Sequence, residues 1–137
     1  MNAPTAPSGF DQLIGTEWLE VGPEEARARI AVGDRHSQIH GIVHGGVYAA
    51  LAESTCAFAT SEAVAPDGMA ALGMSNSTTF LRPVTEGHLN ALARRRHGGR
   101  TTWVWDVEVS DDQGRICALA RVTLAVRPLS AAGGASR

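Results

Sequence analysis

Lysine is missing from this chain altogether: its 12 basic residues are all arginine. Any contact with an anion would therefore use a planar guanidinium fork and not the point charge of an ammonium. Cysteine is almost as scarce, at two residues in 137. Cys56 falls inside an apolar helix-like stretch and Cys117 inside an apolar strand-like one. Both are expected as reduced core residues and not as a disulfide, which suits a cytoplasmic chain. An excess of one charge is lacking too. The 12 basic against 14 acidic residues leave a net charge of −2, without the basic field that nucleic acid calls for. No uninterrupted apolar run reaches the roughly 20 residues that span a bilayer. The opening MNAPTAPSGF has neither the basic segment nor the apolar core of a secretory signal. There is no G-x-S-x-G elbow, no phosphate loop and no dinucleotide fingerprint, so no cofactor is expected, and neither is a nucleic-acid or membrane partner.

What is present is enough for one core. A 137-residue chain with 44% hydrophobic residues buries about two-thirds of its unfolded surface. Residues 1–9 are expected to be a flexible start, 10–128 a single domain and 129–137 (LSAAGGASR) a disordered tail. GFDQLIG could form one helical turn. TEWLEVGPEEARARIAV reads as two short strands around Gly22-Pro23, with Ala26, Ala28, Ile30 and Val32 on one face. A Gly- and His-containing loop, GDRHSQIHGIVHGG, leads to a long apolar helix that starts near Gly46 and ends before Pro66-Asp67-Gly68. Four strand-like runs follow, broken at Arg82-Pro83, at Gly98-Gly99 and at the Asp111-Asp112-Gln113-Gly114 turn. In the third of them Trp103, Trp105, Val107 and Val109 alternate onto one face, and the DDQG turn predicts a hairpin. The fold class is α+β: one helix lying across a curved, mostly antiparallel sheet.

The stretch HGGVYAALAESTCAFAT, residues 44–60, holds a single acid among small and apolar neighbours, Glu53. Burying an ionised carboxylate is costly unless something pairs with it or uses it. Three features meet around it. Gly45 and Gly46 sit at the helix start, where free N–H groups and the dipole favour negative charge and could hold the oxyanion of an attacked carbonyl. The plainer reading is that they only permit a tight turn. Glu53 lies eight residues beyond Gly45, about 12 Å along a helix, too far for one chain to bring both to one carbon. Two antiparallel helices in a two-fold dimer would do so. Against this stands a structural reading in which Glu53 pairs with Arg82 or Arg121. The loop contributes Gln38, which could donate to the carbonyl, and His44, expected to bond within the turn. His36, His40 and His44 are spaced by four, but Gly41-Ile42-Val43 argues against a helix there and no acidic or thiol ligand accompanies them. No metal site is expected.

QIHGIVHGGVYAALAES, SNSTTFLRPVTEGH and TTWVWDVEVSDDQGRICALARVTLAVRP together resemble the hotdog-fold thioesterases. The closest likeness is to the Arthrobacter-type 4-hydroxybenzoyl-CoA thioesterases and the related phenylacetyl-CoA group, across about residues 10 to 128. The resemblance implies a long central helix wrapped by an antiparallel sheet, paired into homodimers with shared sites and usually into homotetramers. It implies that Glu53 attacks the thioester or activates water, that the Gly45 N–H polarises the carbonyl, and that Gln38 assists. For the nucleotide of coenzyme A it points to Arg82 and to the turn at Arg100 and Thr101, with Arg127 a further phosphate candidate; Arg94 to Arg96 could equally be a solvated strand end. Where hydroxybenzoyl-specific relatives are expected to carry a hydroxyl and an acid, this chain has Ala57 and Phe58. An apolar pocket strands a phenol hydroxyl without partners, so an unsubstituted aryl, arylacetyl or medium-chain acyl group is expected. The function expected is hydrolysis of an acyl-CoA thioester. Two alternatives remain: a hydratase or dehydratase, for which Asp34 with His40 would be a poor pair, and a non-catalytic acyl-CoA binder.

Overall fold

A computed structural model describes residues 6–130. The expectations for the first five residues and the last seven lie outside that range. The chain runs through α1 (Gly9–Ile14), β1 (Thr16–Val21), β2 (Glu25–Ala31), a 3-10 turn (Asp34–His36), α2 (Gly45–Val64), a second 3-10 turn (Ala65–Asp67), β3 (Met69–Phe80), β4 (His88–Gly98), β5 (Thr102–Ser110) and β6 (Ile116–Pro128). The α+β expectation holds. All six strands form one sheet in the order β1-β2-β4-β5-β6-β3, with every neighbouring pair antiparallel.

The helix is apolar on all sides, and its buried positions recur every three to four residues. Tyr48, Leu51, Ala52, Thr55, Cys56, Ala59, Thr60 and Val64 are its buried positions. Pro66 and Gly68, the latter at φ +73°, end it and turn the chain into β3. From the sheet, Trp105, Val107, Val109, Val122 and Leu124 meet it, all fully or almost fully buried. Each such side chain contributes about 1.5–3 kcal/mol by leaving water. Polar atoms that enter this core are satisfied: Trp105 Nε1–H donates to Thr60 Oγ1 at 2.9 Å, Thr60 donates on to the Cys56 carbonyl at 2.8 Å, and Thr55 donates to the Leu51 carbonyl at 2.6 Å. Cys56 and Cys117 are free and buried, as the composition implied.

Two consequences of this topology position the site. First, β3 is the last strand of the sheet although it is third in sequence, and its other edge has no partner strand among the described residues. MAALGMSNSTTF carries no charge over 12 residues and exposes Leu72, Met74 and Phe80. Natural proteins usually blunt such an edge with charge or cover it. Second, β3 runs back along α2. Phe80, at its end, packs against the helix start, and the register shift between Gly73 and Ser75 lies beside the helix middle.

Candidate active site

The loop before α2 is held by its own polar atoms. His36 is buried; its Nδ1 accepts from the Gly33 N–H at 2.9 Å, so Nε2 carries the proton and donates to the Ile14 carbonyl at 2.7 Å. Both ring nitrogens are thereby used inside the chain. His44 is the N-cap of α2, with extended backbone (φ −63°, ψ 135°), and its Nδ1 accepts from the Gly46 N–H at 2.8 Å. The turn bond expected of His44 is therefore present. Val47 N–H donates to the His44 carbonyl at 2.9 Å. With those two amides taken, the Gly45 N–H, first of the helix, has no acceptor among the described residues.

Gly45 also forms part of the wall of a cleft of about 590 Å³ with Gln38, His44, Tyr48, Phe80, Leu81 and Arg82. A Cβ at Gly45 would stand 2.8 Å from the Phe80 ring, so glycine here serves close approach between helix and ring. Gln38 Oε1 accepts from the His40 N–H, which leaves the amide NH2 of Gln38 as its donor to the cleft. Four of the residues singled out in the sequence (Gln38, His44, Gly45 and Arg82) thus share one wall.

Glu53 is not among them. It lies two turns further along α2, against the middle of β3, where its Oε1 accepts from Asn76 Nδ2 at 3.3 Å. Asn76 Nδ2 also donates to the Ala49 carbonyl at 2.9 Å, which fixes the amide beside the carboxylate. A Cβ on Gly73 would come within 3.1 Å of Glu53 Oε2, so the bulged glycine leaves room for the acid. Neither Asn76 nor Gly73 was singled out in the sequence; SNSTTF gave no spacing cue, because their relation to Glu53 is purely tertiary.

Two expectations about Glu53 are corrected. Read as part of an apolar helix, it was taken as a carboxylate with little access to solvent; in the single chain it is exposed. Neither expected arginine pairs with it. Arg121 binds Asp106 through two contacts of 2.8 and 3.1 Å, and Arg82 lines the cleft at Gly45. The Asp106 carboxyl is held below the usual range chiefly by its hydrogen bond from Arg121. Arg94, Arg95 and Arg96 form surface ion pairs with Glu25, Glu24 and Asp106, and Arg94 and Arg96 are exposed, as at a solvated strand end.

The other expected contact residues lie elsewhere. Arg127 Nη1 donates to the Thr101 carbonyl at 3.0 Å, joining β6 to the turn that holds Arg100. That corner is nine residues along β6 from Ala118, the partner of Phe80, roughly 30 Å from the cleft at Gly45. Ala57 and Phe58 line a separate cleft of about 250 Å³, where Phe58 stacks on Trp18 with centroids 4.6 Å apart.

Known proteins similar to this chain show the family to which it belongs. The sequence pattern of the thioesterase superfamily matches residues 40–118, more than half the chain. The proofreading thioesterase EntH of Cronobacter turicensis is 32% identical over 113 residues, 82% of each chain. This chain belongs to the thioesterase superfamily. Among solved structures, thioesterase PA1618 of Pseudomonas aeruginosa, crystallised as a Gln-to-Ala variant, is similar at 34% identity and TM-score 0.83, over 87% of this chain and 86% of that one. Thioesterase HI1161 of Haemophilus influenzae is similar at 31% identity and TM-score 0.82, over 87% and 82%. The resemblance to hotdog-fold thioesterases stated from the sequence is thus borne out, and with it the class of the enzyme, a thioester hydrolase. No helix among the described residues is long and apolar enough to cross a membrane.

Proposed function

We propose that this thioesterase hydrolyses an aryl-, arylacetyl- or medium-chain acyl-CoA to free acid and coenzyme A, in sites shared between two subunits. The observation that carries the reading is the separation of Glu53 from Gly45 on one rigid helix, about 12 Å by helical rise, beside an uncharged edge strand whose outer side has no partner among the described residues. Pairing β3 with a second copy of itself would be antiparallel by two-fold symmetry. It would carry each copy's Phe80 end, and with it the Gly45 helix tip, toward the other copy's Gly73 and Glu53. The exposed Leu72 and Met74 would leave water in the same step.

In such a site the Gly45 N–H and the Gln38 amide of one subunit hold the carbonyl oxygen as it gains charge. Glu53 of the other either adds to the carbonyl carbon, giving an anhydride that water opens, or takes a proton from the attacking water. His44 accepts from the Gly46 N–H and so positions the helix tip. Arg82, which lines the cleft, contacts a phosphate of coenzyme A in this reading. Arg100, Thr101 and Arg127 form a second basic corner, which requires a neighbouring subunit to reach the same ligand. Homotetramers, as in the resembling family, fit this need.

Subunit complementation tests the shared site. Glu53→Ala alone should lower kcat by about 10²–10⁴, with coenzyme A affinity nearly unchanged. Gly45→Pro alone should be similarly inactive. Refolded together in equal amounts, half of the dimers are mixed, and each mixed dimer holds one site with both groups intact. Activity should therefore return to about a quarter of wild type by this symmetry. Mixtures that stay as inactive as their parents would refute sharing, and Glu53→Ala with wild-type kcat would remove Glu53 from the chemistry.

A further inference from the structure

The cleft on the other side of Glu53 has no role in the reaction as described so far. It is an open cleft of about 250 Å³, lined by Pro7, Asp11, Trp18, Ser54, Ala57 and Phe58 among others. Ser54 follows Glu53 directly in α2, and Ala57 stands one helical turn beyond it, so the cleft begins beside the carboxylate. Trp18 is the one lining side chain that comes from the sheet. It reaches the helix from β1, where the ladder to β2 shifts register between Trp18 and Glu20. Such a bulge re-aims a side chain. The indole lies on the Phe58 ring almost in parallel, with centroids 4.6 Å apart and planes 11° apart.

We infer that Trp18, seated on Phe58, is the depth stop of the acyl pocket and holds the enzyme to compact acyl groups of about one aromatic ring. This rests on the acyl-CoA reading above and deepens it. An apolar cavity of about 150 Å³ accepts benzene. A cleft of 250 Å³ therefore takes a benzoyl or phenylacetyl group and runs out before a ten-carbon chain is housed. Two stacked rings make a flat, stiff wall with few rotamers to yield. Trp18 acts on specificity and not on bond breaking; the thioester carbon remains with Glu53 and Gly45.

The test measures thiol release from benzoyl-, phenylacetyl- and decanoyl-CoA by the full-length wild type and by Trp18→Ala, Trp18→Leu and Trp18→Phe. Both shortened side chains should raise the decanoyl-to-phenylacetyl ratio of kcat/KM by about tenfold or more, and Trp18→Phe should restore the wild-type order. A stability role alone would lower all three substrates together and leave the ratio unmoved; that result overturns the inference. Trp18→Leu keeps an apolar contact on Phe58 and serves where the alanine variant does not fold. A wild type that hydrolyses none of the three esters defeats the acyl-CoA reading itself. Wild-type turnover with an unchanged ratio in the leucine variant defeats only the depth stop.

Discussion

Replacing Gly45 by proline removes one hydrogen atom from the proposed chemistry and little else. Gly45 is the first residue of α2, where proline is well tolerated because that N–H has no partner inside the helix. The preceding residue must be extended, and His44 already is, at φ −63° and ψ 135°. The substitution does bring a Cβ to 2.8 Å from the Phe80 ring. Phe80 is 55% exposed and can swing away. Alanine at the same position introduces the same clash and keeps the N–H, so it is the control. Loss of one donor to a developing oxyanion costs about 2.7–4 kcal/mol, or 10²–10³ in kcat. The expected outcome is therefore a kcat for Gly45→Pro about 10²–10³ below that of Gly45→Ala, at similar helix content by circular dichroism. Steady-state thiol release on the purified variants measures it. Equal kcat values in two folded variants would show that this amide does not hold the oxyanion.

Three further outcomes concern the scaffold. Thr60→Val strands the buried indole N–H of Trp105 and should cost about 1–3 kcal/mol in a urea titration, whereas Thr60→Ser keeps the acceptor and costs less; equal losses would refute the role given to the hydroxyl. Hydrogen bonds from His88 and Asn90 hold the Asp112 carboxyl below the usual range, and the bond from Arg121 does so for Asp106. A carboxyl depressed by folding stabilises above its unfolded value and loses that contribution as pH falls through the folded one. The melting-temperature gap between wild type and Asp112→Asn should thus be present at neutral pH and shrink as pH falls below about 3.9, the ordinary aspartate value; a gap that stays constant on acidification would contradict the assignment. Burial pushes both thiols upward, Cys56 far out of the physiological range. Neither cysteine should react with a chromogenic disulfide until the protein is unfolded, when both should; prompt labelling of native protein would refute the packing.

Much of this architecture could be read locally. Alternation in TTWVWDVEVS placed Trp103, Trp105, Val107 and Val109 on the buried face, where they lie, because a strand's side chains alternate whatever it pairs with. The helix bounds followed from the His-Gly-Gly start and the Pro66 stop, and the internal bond of His44 from its place one residue before the helix. Glu53 was conspicuous for a thermodynamic reason, as a charge in apolar company, and Gly45 because a helix tip presents free amides. The family resemblance joined those two residues into one reaction.

Other features had no local signal. Nothing in MAALGMSNSTTF says that it will sit at the end of the sheet and not beside β2; that follows from how six strands close against one helix. The placement leaves Glu53 exposed, sets Asn76 beside it, and puts the Gly45 cleft on one side and the Trp18–Phe58 cleft on the other. Arg121 was a reasonable partner for Glu53 in sequence, but strand register sets it across from Asp106. The sequence by itself determined the elements and the reactive groups, because periodicity and helix ends are properties of neighbouring residues. Which groups share a wall was decided by tertiary structure alone, because contacts between β1, α2 and β3 depend on strand order, and strand order is a compromise of the whole core.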